Sequence, residues 1–276
     1  MNKHTITKNE LVEQVLKFYE KNVYRFKENE IPCIERPIVK FAAADDHQFR
    51  IWADNKENPL IKPTEGFILS FGEKALAQTV ISWILPISEY SKNSNSRQNK
   101  EPSREWILSR FHGENFNNNL RMFISKYLES KNFLAVAGQH ASWWKRSPDG
   151  ISSNWSERHA AYAAGHGSFS LCGGLITEKG IAVRIGSVIT NCKFEPDRRK
   201  VSGIFDNCLF YNKGICLSCI KRCPVGAISV DGIDRIKCRN NVMSSESKEL
   251  AEKYGGAVTA GCGLCQSGVP CEHRIP

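Results

Sequence analysis

Eight of the eleven cysteines lie between Val201 and Pro276: Cys208, Cys216, Cys219, Cys223, Cys238, Cys262, Cys265 and Cys271. Their densest stretch reads CLSCIKRCPVGAI, from Cys216 to Ile228. Thiolates in the run C-x2-C-x2-C-x3-C-P hold iron–sulfur clusters, and the fourth cysteine of that run ligates the other cluster of a pair. The last three members are present, as Cys216-x2-Cys219-x3-Cys223-Pro224. Lys213 stands where the first would fall and cannot bind iron, so the nearest upstream thiol, Cys208, takes its place. Gly214 lies between them and lets the backbone turn back towards the iron. Two [4Fe–4S] clusters require eight thiolates, and this stretch supplies eight.

Cross-ligation sorts the eight. A short loop wraps three corners of one cubane, and the next turn of chain must point away from it. Cys208, Cys216 and Cys219 then hold one cluster, with Cys271 as fourth ligand. Cys223 leaves for the other cluster and joins Cys238, Cys262 and Cys265. This is the arrangement of bacterial two-cluster ferredoxins. The seven residues before Cys216 and the five after Cys265 depart from ferredoxin spacing, and Pro270 precedes Cys271 instead of following it. Cys192 is the reserve for Cys208. A structural zinc site needs only four ligands, commonly in paired C-x2-C knuckles, and would leave four thiols over. A disulfide framework suits an oxidising compartment, and no N-terminal secretory signal is visible, so we expect a reducing, cytoplasmic setting.

The elements that must position these thiols are legible in outline. With 276 residues and 41% apolar content, the chain can bury a sizeable core and a small appended domain. No run of eighteen apolar residues occurs, so no membrane span is expected. Lys and Arg number 38 against 29 Asp and Glu, giving +9 and a pI near 9.0. Residues 201–276 carry nine of those cations and seven of those anions, so +7 belongs to residues 1–200. Each cubane with its thiolates adds roughly −2, leaving the tail neutral to acidic and the front basic. A basic face suits RNA or an acidic electron donor, although ordinary solvated lysines account for it equally well.

Thr7 and Glu10 fit a capping box, and Leu11, Val12, Val15, Leu16 and Tyr19 then recur on one helical face. Residues 31–66 read as irregular, and Asp45–Gln48 as an exposed turn. Phe67–Phe71 and Thr79–Ile87 read as buried strands. The polar stretch Ser91–Ser103 reads as a mobile loop, with Ser103 capping a helix that carries Trp106, Ile107 and Phe111. Leu120, Phe123, Ile124, Tyr127 and Leu128 mark a further helical stretch, and Phe133–Ala137 a strand. Ser156–Ala164 is a small-residue helix, which permits close approach of a backbone or a flat ligand. Ile181–Thr190 is a strand interrupted at Gly186, where backbone can approach a ligand. Helix alternates with strand, so the front half reads as α/β.

With those residues in place, the chain resembles the epoxyqueuosine reductase and reductive dehalogenase superfamily. ERHAAYAAGHGSF (Glu157–Phe169) is similar to the family's E-R-x-x-A-x-x-A-G-L-G. GSVITN (Gly186–Asn191) is similar to its G-x-x-x-L-G-E-I-L-T-D, and the tail carries the isolated Cys238 and the later CGLCQ of Cys262–Gln266. RFHGENFNNNL (Arg110–Leu120) is fainter, similar to R-Y-A-x-G-x-D-Y-H. There the family's Asp, Tyr and His fall on Asn115, Phe116 and Asn117. The acidic residue that precedes the E-R pair falls on Ile151, with Asp149 near it. These departures mark a divergent branch.

The resemblance implies a front domain that holds cobalamin and a tail that is a two-cluster ferredoxin. It implies Arg110, Glu157, Arg158, Ala161, Gly165 and Gly167 at the cofactor, and Tyr162 as proton donor, against a packed core tyrosine. His159 and His166 are further candidates as proton donor or axial ligand, against helix-end capping. Cys33, Cys172 and Cys192 read as buried small hydrophobes. The expectation is an α+β oxidoreductase: an α/β front domain over residues 1–200 and a two-[4Fe–4S] ferredoxin-like domain over 201–276. Electrons would come from a ferredoxin- or flavodoxin-type donor and reduce a small molecule or a tRNA. The competing class is a ferredoxin-like electron carrier or adaptor without a corrinoid.

Overall fold

A computed structural model describes residues 6–256 and 258–276. Helix α1 (Lys8–Asn22) begins at the capping box: Thr7 Oγ1 accepts from Glu10 N at 3.2 Å, and Glu10 accepts from Thr7 N at 2.7 Å. Strand β1 (Ile38–Ala43) leads to α2 (His47–Ala53), which Asp46 caps by accepting from Gln48 N. There follow α3 (Pro63–Phe71), β2 (Thr79–Pro86), α4 (Glu89–Ser96), α5 (Arg104–Ser130), β3 (Ala135–Val136), α6 (Glu157–Ala163), β4 (Gly167–Phe169), β5 (Leu175–Thr177) and β6 (Val183–Thr190). The tail is shorter-ranged: α7 (Leu209–Lys213), α8 (Ser218–Lys221), β7 (Ile228–Ser229), β8 (Gly232–Ile233), α9 (Arg235–Val242) and α10 (Ser245–Lys253).

The main sheet has the order β1-β2-β6-β3, and every pairing in it is antiparallel. The chain is therefore α+β, and the alternation of helix with strand brings no parallel pairing with it. All eight residues of β2 are buried, because it is covered on both faces. Side chains alternate across it by the pleat. Ile81, Trp83 and Leu85 face α1 and α5, whereas Val80 joins Phe49, Phe67 and Ala160–Ala164 on the other side. Three layers result, with the sheet in the middle.

Three expectations differ. Residues 31–66, read as irregular, hold β1 and α2, with Asp46 capping α2. Phe67–Phe71 lies in α3, with Pro63 in its first turn and Gly72 at φ 91° ending it. A five-residue apolar run has no periodicity to separate strand from helix. Only Phe67 reaches the core there, and Leu69 is 56% exposed. The stretch read as a mobile loop opens as α4, where Ser91, Lys92 and Asn95 are buried. Asn95 donates to Ser267 Oγ at 2.8 Å and accepts from Ser103 N at 3.0 Å, so polar composition here reflects buried hydrogen bonding, not solvation.

The 27 residues of α5 form one helix, about 40 Å long at 1.5 Å per residue. Its N-terminal half touches the tail, with Ile107 packed among Ala251 and Ala260, and its middle crosses the sheet at Asn117 and Arg121. A second tie is the β4–β5 hairpin. Leu171, Cys172 and Ile176 pack with Cys208, Ile228 and Val269, and Ile181 N donates to Cys271 O at 2.8 Å.

Candidate cysteine cages and the adjoining cavity

The tail folds so that its thiols face two cavities. Cys208 precedes α7, Gly214 ends that helix in the left-handed region at φ 67°, and the chain doubles back to Cys216 and α8. One cavity is lined by Cys208, Cys216, Cys219 and Cys271. The second, of about 370 Å³, is lined by Cys223, Cys238, Cys262 and Cys265. Ala227 N donates to Cys223 Sγ at 3.1 Å. Among the described residues no three of these side chains, or of any His, Asp or Glu, converge tightly enough to hold one metal ion. The first cavity is small, about 30 Å³, and the second is the wider of the two. Burial pushes the Cys271 thiol up to about 12 and raises Cys238 and Cys262 as well. Binding a cation there must displace protons, as thiolate ligation always does.

A larger cavity of about 620 Å³ adjoins the second cage, and the two share Gly150, Ile151, Arg158 and Arg235. Trp52, Trp144, Trp155 and Phe169 give it flat apolar wall, and Arg146, Asp149, Glu157 and His159 give it polar wall. Three residues of α6 enter it in succession. Glu157 accepts from Arg121 Nε at 3.2 Å and from the Ser187 hydroxyl, and burial raises its carboxyl above the ordinary range against the pull of Arg121. Arg158 donates to Gly173 O. His159 places Nδ1 2.7 Å from Ser156 Oγ, and burial, then Arg158 and Arg235, lowers it to about 3. It is a neutral imidazole near pH 7.

No family model matches the chain. Over 120 residues, 42% of its length, it is 33% identical to epoxyqueuosine reductases of Bacillus anthracis and Bacillus cereus, the match spanning 29% of each. It superposes over 96% of its length on an epoxyqueuosine reductase from Bacillus subtilis with TM-score 0.51 and 18% identity, covering 65% of that chain. An epoxyqueuosine reductase solved with a tRNA-Tyr stem loop gives the same TM-score of 0.51. A catabolic reductive dehalogenase gives 0.54 at 15% identity, over 86% of this chain and 30% of that one. The chain has the epoxyqueuosine reductase and reductive dehalogenase fold. Its sequence match spans under a third of the curated relatives, and its superposition just under two thirds of the solved epoxyqueuosine reductases.

Within that fold the residues singled out by the E-R block separate. Glu157 and Arg158 line the cavity, and Ala161, Tyr162, Gly165 and Gly167 do not. The small residues of α6 are spent on packing: Ala160, Ala161, Ala163 and Ala164 are buried against the sheet. Tyr162 is 2% exposed, with the Arg199 guanidinium 5.4 Å from its ring centroid, and burial raises its pKa, so it holds its proton in the core. Gly165 (φ 81°) accepts from Lys40 Nζ at 2.9 Å beyond the end of α6. A Cβ on Gly167 would collide with the Ile176 carbonyl across the hairpin. His166 is buried with Nε2 3.1 Å from Ser82 O and does not line the cavity. Gly186 lies against Trp83, so the neighbour that needs its missing Cβ is a core side chain.

Arg110 also lies elsewhere, donating to Thr259 O at 3.1 Å where α5 meets the tail. Phe116 is core, and Asn117 bridges Trp83 Nε1 at 2.8 Å and Ile185 O at 2.9 Å, so that block is structural here. Asp149 does line the cavity, and hydrogen bonds from Ser147 and Ile151 N hold its carboxyl below the usual range. Cys33 and Cys192 are apolar-core thiols, pushed up to about 12 and about 11 by burial. Cys172 is different, because it lines both cysteine cages. The sequence reading missed it and the tryptophans of WWKRSPDGISSNW. The available signals were the Gly173-Gly174 turn behind Cys172 and the aromatic density of residues 143–155.

Proposed function

We propose that the chain is an iron–sulfur oxidoreductase of two domains, residues 1–200 and 201–276. One [4Fe–4S] cluster is held by Cys208, Cys216, Cys219 and Cys271, and the other by Cys223, Cys238, Cys262 and Cys265. Single electrons enter from a ferredoxin- or flavodoxin-type donor and pass to an acceptor in the 620 Å³ cavity, where an organic substrate is reduced. The observation that carries this reading is the wall shared by that cavity and the second cage, through Arg158 and Arg235. A carrier needs no such chamber. Its size falls within the roughly 300–1,000 Å³ of small-molecule and cofactor sites.

A corrinoid is the acceptor that the likeness to reductive dehalogenases and the flat Trp52, Trp144 and Trp155 surfaces support. When bound it supplies the bond-breaking electron chemistry. The chain's own residues position and protonate. Arg146, Arg158 and Arg235 set a cationic wall for polar groups of the acceptor or substrate. Asp149 is ionised and His159 neutral near pH 7, so neither gives up a proton there. Glu157 is the wall carboxyl whose pKa burial raises, so among these groups it is the one shifted towards taking up a proton. A small molecule, or a tRNA such as the stem loop with which a relative was solved, is the substrate class.

The test is anaerobic reconstitution with iron and sulfide analysis, followed by cobalamin titration watched by calorimetry and corrin absorbance. About eight iron and eight sulfide per chain are expected, with cobalamin bound at micromolar concentration. Ser152→Trp, in the cavity wall, should abolish cobalamin binding and leave the clusters intact. About four iron, or tight zinc in place of iron, overturns the cluster reading. Full clusters with no micromolar binding of any cobalamin form leaves the electron-carrier reading in front.

A further inference from the structure

The two cages stand differently to the 620 Å³ cavity. The second shares Gly150, Ile151, Arg158 and Arg235 with it, whereas among the described residues the first shares none. Electrons bound for the cavity therefore leave through the second cage and must enter at the first. Within the first quartet, Cys208, Cys219 and Cys271 pack into one apolar cluster with Leu171, Ile176 and Val269, and Cys216 stands outside it. Cys216 has φ 101°, and its neighbours on both sides face solvent, Ile215 at 58% exposed and Leu217 at 41%. The open corner of the cage is the Cys216 corner.

The surface around that corner is apolar at its centre and cationic at its rim. Tyr211 and Ile275 are exposed too, and each of these four side chains is next in sequence to a residue that lines the cage: Tyr211 to Phe210, Ile215 and Leu217 to Cys216, Ile275 to Pro276. Tyr211 also stacks on exposed Phe205, with ring centroids 4.3 Å apart. Single apolar side chains on a surface need no explanation, but a group gathered at one opening does. Residues 208–221 contain Lys213 and Lys221, both exposed, and no acid. Residues 269–276 contain exposed Arg274 and one acid, Glu272, which is buried and accepts from Gly268 N at 2.9 Å. Asp206, beside Phe205, is taken up by Ser202 N at 2.9 Å and Gly203 N at 2.8 Å. Complementary charge steers a partner in and sets its orientation, and redox encounters bury little area, under about 1,200 Å², so the partner can leave again.

Resting on the two-cluster reading above, we propose that this face, with Tyr211, Ile215 and Leu217 set among Lys213, Lys221 and Arg274, is the docking site of a small acidic ferredoxin. A [4Fe–4S] cluster is reduced one electron at a time, and a ferredoxin gives one at a time. The reduced ferredoxin loses one electron at the Cys216 corner, and the cluster of the first quartet gains it. No covalent bond is made or broken.

The test uses the full chain, reconstituted anaerobically, with iron counted in every variant. Reduction by a photoreduced acidic [2Fe–2S] ferredoxin is followed by stopped flow at several salt concentrations, with dithionite in a parallel series. Lys213→Glu/Lys221→Glu is compared with Lys27→Glu/Lys74→Glu, which makes the same charge change at exposed lysines outside both cages. The first pair should slow reduction by ferredoxin at least about tenfold at low salt and flatten its salt dependence. The second pair, and every variant with dithionite, should stay close to wild type, with wild-type iron throughout. Ile215→Ser/Leu217→Ser should slow the ferredoxin reaction at high salt as well, where charge is screened. Unchanged ferredoxin rates in the first pair overturn the proposal, and so does equal slowing by the second, which would leave only net charge. So does a wild type that dithionite reduces and ferredoxin does not. A dimer that Ile215→Ser/Leu217→Ser dissolves gives the face to a second copy, and a tRNA stem loop that the first lysine pair alone releases, with ferredoxin rates kept, gives it to RNA; either overturns the proposal. Wild-type protein that takes up no iron overturns the two-cluster reading itself, and is distinguishable from all of these.

Discussion

Arg121 is the polar keystone of the cavity's inner wall, and removing it should be costly in a defined way. Its side chain is 1% exposed. It pairs with Glu157 and with Glu114, each at 3.2 Å, and donates to Asn118 Oδ1 at 2.8 Å and Ile185 O at 3.1 Å. In Arg121→Met, Glu114 keeps Arg184 at 2.6 Å, but Glu157 keeps only the Ser187 hydroxyl. Breaking a buried pair by removing one partner costs about 3–5 kcal/mol. Glu157 faces the cavity with 14% of its side chain exposed, so water there screens it and the lower end, about 3 kcal/mol, applies. Converting the orphaned partner as well, in Arg121→Met/Glu157→Gln, should return about 2 kcal/mol of this, because no charge is then left unpaired.

The pH dependence follows from the direction of the Glu157 shift. Its folded pKa is raised, so the folded chain keeps this proton at pH values where the unfolded chain has lost it. Stability contributed by the group falls as pH rises from the ordinary carboxyl range through the folded value. Without Arg121 the folded value climbs further, and the deficit of the single variant widens with pH over that window. Urea midpoints of the cluster-loaded proteins, read by tryptophan fluorescence at several pH values, measure all of this. A single variant within about 0.5 kcal/mol of wild type, or a double variant no better than the single, would refute the reasoning.

Two further outcomes are expected. Cys238→Ala should damage the same spectroscopic centre as Cys223→Ala, while Cys219→Ala damages the other; if Cys223 tracks Cys219 instead, the interleaved ligation is wrong. His159 and His166 are both lowered to about 3 by burial, whereas the unfolded chain protonates them near 6.5. Stability from these two is full above about 6.5 and is lost as pH falls from there towards 3. His159→Gln should flatten that acid limb in urea midpoints between pH 7 and pH 4.5, and a limb of unchanged slope would contradict a neutral buried imidazole.

The grouping of the thiols around two cavities was partly readable because neighbouring cysteines are spaced locally. The run Cys216-x2-Cys219-x3-Cys223 sets its first two thiols on one cavity and its third on the other, while Cys238, Cys262, Cys265 and Cys271 come from farther along. Helix α1 was readable for the same reason, since Thr7 and Glu10 settle its start within one turn. Stretches whose environment is set by distant chain misled. FILSF is apolar in α3 as it would be in a strand, and the polar run after Ser88 conceals Asn95, whose partners are Ser103 and Ser267.

The cavity was unreadable by the same logic. Its walls come from four separate segments, around Trp52, from Gln139 to His159, at Phe169 and at Arg235, and no spacing rule links them. Of the residues the E-R block singled out on α6, Glu157 and Arg158 line the cavity and Ala161 does not. One turn of α6 presents Glu157, Arg158 and His159 to the cavity while Ala160, Ala161, Ala163 and Ala164 seat the helix on the sheet. Small residues there let the helix lie close, and that closeness brings Glu157 to Ser187 on β6 and to Arg121 on α5. The alanines thus act on the site through packing, by fixing the carboxylate that α6 presents. The same step of chain sets Arg158 on Gly173, and with it the turn that carries Cys172 to the junction of the two cages. A single short helix therefore orders the cavity on one side and the turn that bears Cys172 on the other.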